Sequence, residues 1–85
     1  MDCRHPFQES DVQIIDWARA SAMPTLVLLN KCDKLKRGRA ASTLAEARRR
    51  LEDDELIVVQ LFSAATGEGV ADALAHIRGW LASAR

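Results

Sequence analysis

The chain is sparing with several residue types. Of its 85 residues, two are cysteine, two proline, four glycine, two tryptophan and two phenylalanine, and tyrosine is absent. Two cysteines, Cys3 and Cys32, are too few for a disulfide framework, and they read as free thiols of a cytoplasmic chain. Twelve Lys and Arg balance twelve Asp and Glu, so no overall field draws the chain to DNA or to a membrane surface. No apolar run approaches the roughly 20 residues of a membrane span, and no signal-peptide pattern opens the chain. Repeats, low-complexity tracts and domain linkers are also missing. The length allows one small domain, near the size at which a single core is barely sufficient.

What is present centres on Pro24-Thr25-Leu26-Val27-Leu28-Leu29-Asn30-Lys31-Cys32-Asp33-Lys34-Leu35. Five β-branched or apolar residues run without alternation, as in a strand covered on both faces within a parallel sheet. An amide, an ammonium and a carboxylate follow at its carboxyl end, where open α/β sheets bind ligands. The spacing Asn-Lys-x-Asp matches the guanine-reading box of GTP-binding proteins. Guanine presents N1–H and N2–H₂ side by side, and an ionised Asp33 can accept both. Adenine has an acceptor at N1 and no amino group at C2, so it would leave Asp33 unpaired. A site built this way can reject the wrong base by roughly 10⁴–10⁵. In this reading Asn30 reaches the N7/O6 edge or ties loops together, and the stem of Lys31 lies over the base plane.

A second strand, Leu56-Ile57-Val58-Val59-Gln60-Leu61-Phe62, ends in Ser63-Ala64-Ala65-Thr66-Gly67-Glu68-Gly69-Val70, a glycine loop opening a helix. In GTP-binding proteins a Ser-Ala loop offers a backbone N–H to guanine O6; here that donor is Ala64. Many such proteins carry Lys at the third position, where this chain has Ala65.

The start of the chain narrows the resemblance. Met1-Asp2-Cys3-Arg4-His5-Pro6 followed by Asp11, then Asp33-Lys34-Leu35, Arg37-Gly38-Arg39 and Phe62-Ser63, resemble EngB-type (YihA/YsxC) GTPases in the same order. The resemblance covers essentially the whole chain. It implies an α/β chain with a partial P-loop GTPase fold, helix–strand–helix–strand–helix, carrying the last two parallel strands of a six-stranded sheet. Residues 1–85 are then the carboxyl-terminal half of a GTPase domain. The Gly-x-x-x-x-Gly-Lys-Ser/Thr phosphate loop, the switch threonine and the magnesium-binding Asp-x-x-Gly are not in this sequence. By resemblance, the cofactor is GTP or GDP, with Mg²⁺ only in the full-length parent. The parent's role is large-ribosomal-subunit assembly, with a link to division septation, and its partner is the large subunit. Met1 falls where the family has the end of its preceding strand, which points to a truncated chain needing the amino-terminal half. The chain alone is expected not to hydrolyse GTP. A competing reading is a short non-nucleotide interaction module or a non-functional truncated product.

Along the chain, Ser10-Asp11-Val12-Gln13 reads as a capping box opening a helix to about Ala22, with Val12, Ile15, Ala18 and Ala22 inward. Lys34 to Ala41 reads as a basic loop. A second helix to about Leu51 places Leu44, Ala47 and Leu51 on one stripe, with Glu46 and Arg50 paired. Glu52 to Glu55 forms an acidic turn. The last helix begins near Gly69 and keeps Val70, Ala73, Leu74, Ile77 and Leu81 inward. No His/Cys/Asp cluster accompanies His5, so it reads as a loop residue, not a metal ligand. His76 reads as a surface partner of Asp72, and Trp17 and Trp80 as covers of core edges. The cations at 34–39 and 48–50 are either ribosomal RNA contacts or a solvated face. The strand Thr25–Leu29 is expected to be an open edge, and the chain to be marginally stable and self-associating through it.

Overall fold

A computed structural model of the chain describes residues 1–83. Three helices, α1 (Glu9–Ser21), α2 (Arg37–Arg50) and α3 (Val70–Ser83), alternate with two strands, β1 (Thr25–Leu29) and β2 (Ile57–Leu61). The strands are parallel and paired without a bulge, from Thr25 opposite Ile57 to Leu29 opposite Leu61. Both are short runs of β-branched and apolar residues, which fit a pleated surface packed by neighbours. Pro24 cannot continue α1. That helix closes with Ala22 in the left-handed region, φ 51°, and the Met23 N–H donates to the Ala18 carbonyl at 3.2 Å.

Side chains alternate along each strand, so the sheet has two faces of different character. Val27, Leu29 and Val59 share one face and form the core with Ile15 of α1, Ala47 of α2, and Leu51, Cys3 and Cys32. Leu29 is completely buried, and burying such a side chain contributes about 1.5–3 kcal/mol. Leu26, Leu28, Val58 and Gln60 point the other way. There Gln60 anchors the start of α3 through its Nε2, 2.7 Å from the Gly69 carbonyl. Leu26, Leu28 and Val58 remain only partly covered. The expectation of a strand covered on both faces therefore holds for one face.

The same deficit decides α3. Of its expected inward stripe only Ala73 is buried; Val70, Leu74, Ile77 and Leu81 are exposed. Their spacing makes one apolar stripe, but two strands offer it too little sheet to lie on. Trp17 is likewise exposed, not a cover for the core edge.

Other local expectations shift by a few residues. Helix α1 starts two residues before the proposed box at Ser10: Gln8 is its N-cap, and the Gln8 N–H donates to Asp11 Oδ2 at 3.0 Å. An ionised carboxylate in the first turn outcompetes a hydroxyl as acceptor for these N–H groups. The basic loop is shorter than expected, since Arg37, Gly38 and Arg39 already belong to α2, whose N-cap Lys36 has no side-chain bond. Among the described residues Glu46 makes no ion pair with Arg50. The Arg50 guanidinium sits 3.8 Å over the Phe7 ring instead. His76 faces Trp80, ring centres 6.4 Å apart, and not Asp72. Arg19 of α1 binds Asp54 at 2.7 Å, pinning the acidic turn before β2.

The β1 edge is also less open than expected. Asp2 bridges Asn30 in parallel fashion. The Asn30 N–H donates to the Met1 carbonyl at 2.7 Å and the Cys3 N–H to the Asn30 carbonyl at 2.8 Å. Residues 1–3 thus cover the carboxyl end of β1 and leave its amino-terminal part free.

Candidate functional site

Both strands end on the same side of the sheet because they run parallel. The chain leaving β1 turns at Lys31, which takes a left-handed backbone (φ 61°, ψ 34°), and then makes a short 3-10 turn over Cys32–Lys34. A non-glycine residue held there is strained by about 1–3 kcal/mol and needs surrounding contacts to persist. They are present. The Cys32 N–H donates to the Phe62 carbonyl at 3.1 Å, the Phe62 N–H to the Leu29 carbonyl at 3.0 Å, and the Lys34 N–H back to the Lys31 carbonyl at 2.9 Å. Cys32 is buried under the turn.

This turn delivers Asp33 to the loop that follows β2. Ser63 is fully buried, and its hydroxyl donates to Asp33 Oδ1 at 2.7 Å while accepting the Thr66 N–H at 3.2 Å. The Asp33 carboxyl is held below the usual carboxylate range, first by the Ser63 hydroxyl, then by its own backbone N–H and by the charges of Lys34 and Arg4. Oδ2 accepts no side-chain hydrogen bond among the described residues, and the Lys34 ammonium lies 4.0 Å from it. An ionised carboxylate with one oxygen fixed and the other open is a directed acceptor.

The Ser63 loop is closed by its own backbone. The Ser63 N–H donates to the Glu68 carbonyl at 2.9 Å and the Gly67 N–H to the Ser63 carbonyl at 2.8 Å. Gly69 has φ +83°, and a Cβ there would collide with the Leu61 carbonyl and the Gln60 amide. Only glycine fits this close approach of loop to strand. Ala64 is exposed at the tip, and its N–H has no hydrogen-bond acceptor among the described residues.

The five residues singled out from sequence therefore lie at one end of the sheet. Asp33 and Ser63 are in direct contact, and Ala64 adjoins them. Asn30 is fixed through its backbone, whereas its side chain and that of Lys31 stand exposed. Three residues have roles that escaped the sequence reading. Thr66 shapes the loop, its N–H on Ser63 and its Oγ1 accepting the Glu68 N–H at 3.3 Å. Asp2 and Arg4 pair beside the turn at 2.9 Å, an interaction two residues apart that no periodic pattern reveals. Arg4 holds the Asp2 carboxyl well below the usual range. Burial pushes the Cys3 and Cys32 thiols up, away from the reactive thiolate form. Among the described residues no group of three His, Cys, Asp or Glu could hold a metal ion. No helix there is long and apolar enough to cross a membrane.

No family model matches the chain. Individual proteins do. It is 40% identical over 82 residues to "Probable GTP-binding protein EngB" of Thiobacillus denitrificans, which covers 96% of this chain and 40% of that protein. The proteins of the same name from Aromatoleum aromaticum and Shewanella putrefaciens are 45% and 41% identical over 95% and 94% of this chain, and over 38% and 37% of their own lengths. By sequence, the chain is similar to EngB proteins over nearly its whole length. It spans about two fifths of the length of these EngB relatives. The EngB match takes in nearly all of the chain, so both strand ends and the loops leaving them fall within a shared stretch. The fold is α/β, three helices and a two-strand parallel sheet, and the likeness to EngB proteins implies a partial P-loop GTPase fold.

Proposed function

We propose that residues 1–85 are the guanine-recognising, carboxyl-terminal half of an EngB GTPase domain. Asn30, Lys31 and Asp33 read the base, and Ser63 and Ala64 complete the pocket. The observation that carries this is the Asp33–Ser63 contact. Ser63 fixes one carboxylate oxygen and leaves Oδ2 for the N1–H and N2–H₂ donors of guanine, while the unpartnered Ala64 N–H suits O6. The exposed stem of Lys31 would lie over the ring. GTP and GDP are the ligands. Phosphates, Mg²⁺ and hydrolysis belong to the amino-terminal half, the partner this chain requires. By family resemblance the assembled protein serves large-ribosomal-subunit assembly and division septation in the cytoplasm.

With base contacts alone, the chain binds guanosine no more tightly than about 1 mM, roughly −4 kcal/mol. Saturation-transfer NMR with guanosine, adenosine and xanthosine tests this. Guanosine is expected to give the strongest transfer in the native chain and xanthosine in Asp33→Asn, whose amide can donate to the C2 carbonyl. Equal transfer from guanosine and adenosine, or an Asp33→Asn variant still preferring guanosine, would remove Asp33 as the base reader.

A further inference from the structure

The zero net charge hides a sharp division. Residues 31–50 carry eight of the twelve Lys and Arg (Lys31, Lys34, Lys36, Arg37, Arg39, Arg48, Arg49, Arg50) but only two acids, Asp33 and Glu46. That is a surplus of six positive charges on the turn and on α2. The other 65 residues hold four cations and ten acids. All eight cations are exposed, and among the described residues only Lys34 approaches a carboxylate, at 4.0 Å. Arg48, Arg49 and Arg50 suit the last turn of α2, but the first-turn cations do not serve the helix. Arg37 and Arg39 stand in the first turn of α2, which contains no acid, so they face the positive end of the helix dipole and weaken it.

A hollow of about 380 Å³ lies between α2 and the amino-terminal loop, lined by Arg4, Phe7, Arg39, Thr43, Glu46 and Arg50 among others. Two of its guanidiniums are already immobilised: Arg50 is stacked on Phe7, and Arg4 is clamped by Asp2 through Nε and Nη2. Guanidiniums held in place lose little freedom on meeting a phosphate and keep free N–H groups to donate. We infer that α2 and this hollow form a surface for the phosphate backbone of a nucleic acid. An anionic membrane is the weaker match. Membrane-surface helices bury a large apolar face, and the exposed large apolar residues here lie on other elements, none on α2. The surface is independent of guanine recognition. It deepens the ribosomal reading, and rests on it, only in making ribosomal RNA the natural source of those phosphates.

The test is fluorescence anisotropy of the 85-residue chain with a labelled 20-base-pair RNA duplex, a DNA duplex of matching sequence, and vesicles of phosphatidylserine and phosphatidylcholine. About four phosphate contacts would give an affinity falling on the order of a hundredfold between 50 and 200 mM salt. The triple variant R39Q/R48Q/R49Q should flatten the log–log salt slope by about three, whereas Arg78→Gln on α3 should leave it unchanged. Circular dichroism of each variant separates loss of charge from loss of fold. Binding of either duplex with this behaviour supports the surface, RNA alone tying it to a ribosomal partner. No duplex binding, vesicle binding only, or a salt slope untouched in a folded triple variant would overturn it. Guanosine transfer in the same variant reads the base site separately.

Discussion

The two faces of the sheet differ in how they are finished. The Val27–Leu29–Val59 face is sealed by two helices, a buried thiol from the amino-terminal loop and another from the turn after β1. The Leu26–Leu28–Val58 face has one helix bound at its start through Gln60, and most of that helix's apolar stripe faces solvent. The two strands supply similar residues to both sides. The lesson is that residue type sets what a face can bury, while the number of neighbouring strands sets how much it does.

The largest test of this contrast is a pair of truncations. Leu29→Ala opens a cavity in the sealed core and should cost about 2–5 kcal/mol, enough to unfold a chain of this size. Leu28→Ala, one residue away on the open face, should cost about 1 kcal/mol. Urea unfolding followed by circular dichroism measures both. Equal losses would mean that the second face is as well packed as the first.

Gly69→Ala strikes the Gln60 anchor of the open face. The added Cβ meets the Leu61 carbonyl and the Gln60 amide at a left-handed backbone, so a loss of about 1–3 kcal/mol is expected. α3 should then loosen before the sealed core does, visible as early loss of Trp80 fluorescence while Trp17 reports a later transition.

Ser63→Ala removes the buried hydroxyl joining the two loops and should cost about 1 kcal/mol at neutral pH. Its pH dependence has a definite sign. The native Asp33 carboxyl titrates below its ordinary value of 3.8, so its contribution is complete above that value. It is lost as the pH falls through the native-state value. The gap between native and variant chains should therefore be constant near neutrality and close in acid. A gap that widened on acidification would contradict the hydrogen-bond account. The smallest effect belongs to Leu26→Lys. On a half-covered edge residue the stability change should stay within about 0.5 kcal/mol. Light scattering should show less self-association, because a charge blunts a free strand edge. An unchanged scattering profile would place the self-association elsewhere.

Much of this architecture could be read from residues alone, for reasons the structure makes plain. Both strands are runs of β-branched and apolar residues, interrupted only by Gln60, and the Leu44–Ala47–Leu51 stripe packs as its spacing implies. That Asn30 to Asp33 and Ser63 to Gly69 leave the strands at one end of the sheet was legible, because neighbouring parallel strands end on the same side. The start of α2 was hidden, since it has no capping side chain and carries Gly38 among cations. The fate of α3 was hidden more deeply. Periodicity shows which side of a helix is apolar, but not whether anything lies against it. The contacts of Arg50 with Phe7 and Arg4 with Asp2 were illegible for a different reason. Each is chosen by loop geometry over an equally plausible partner four residues away or in solvent.

The three-residue cover on the end of β1 has a consequence at the level of single amides. Thr25 and Leu29 bond toward β2, while Leu28 and Asn30 face the other edge, where the Met1 amino group donates to the Leu28 carbonyl at 2.8 Å. Every second N–H of β1 therefore has a different lifetime in deuterated solvent. Val27 and Leu29 sit inside the ladder and exchange slowly, Asn30 is shielded by the Met1 carbonyl, and Leu26 and Leu28 point outward and exchange fast. One strand thus keeps an alternating record of which of its edges has been claimed.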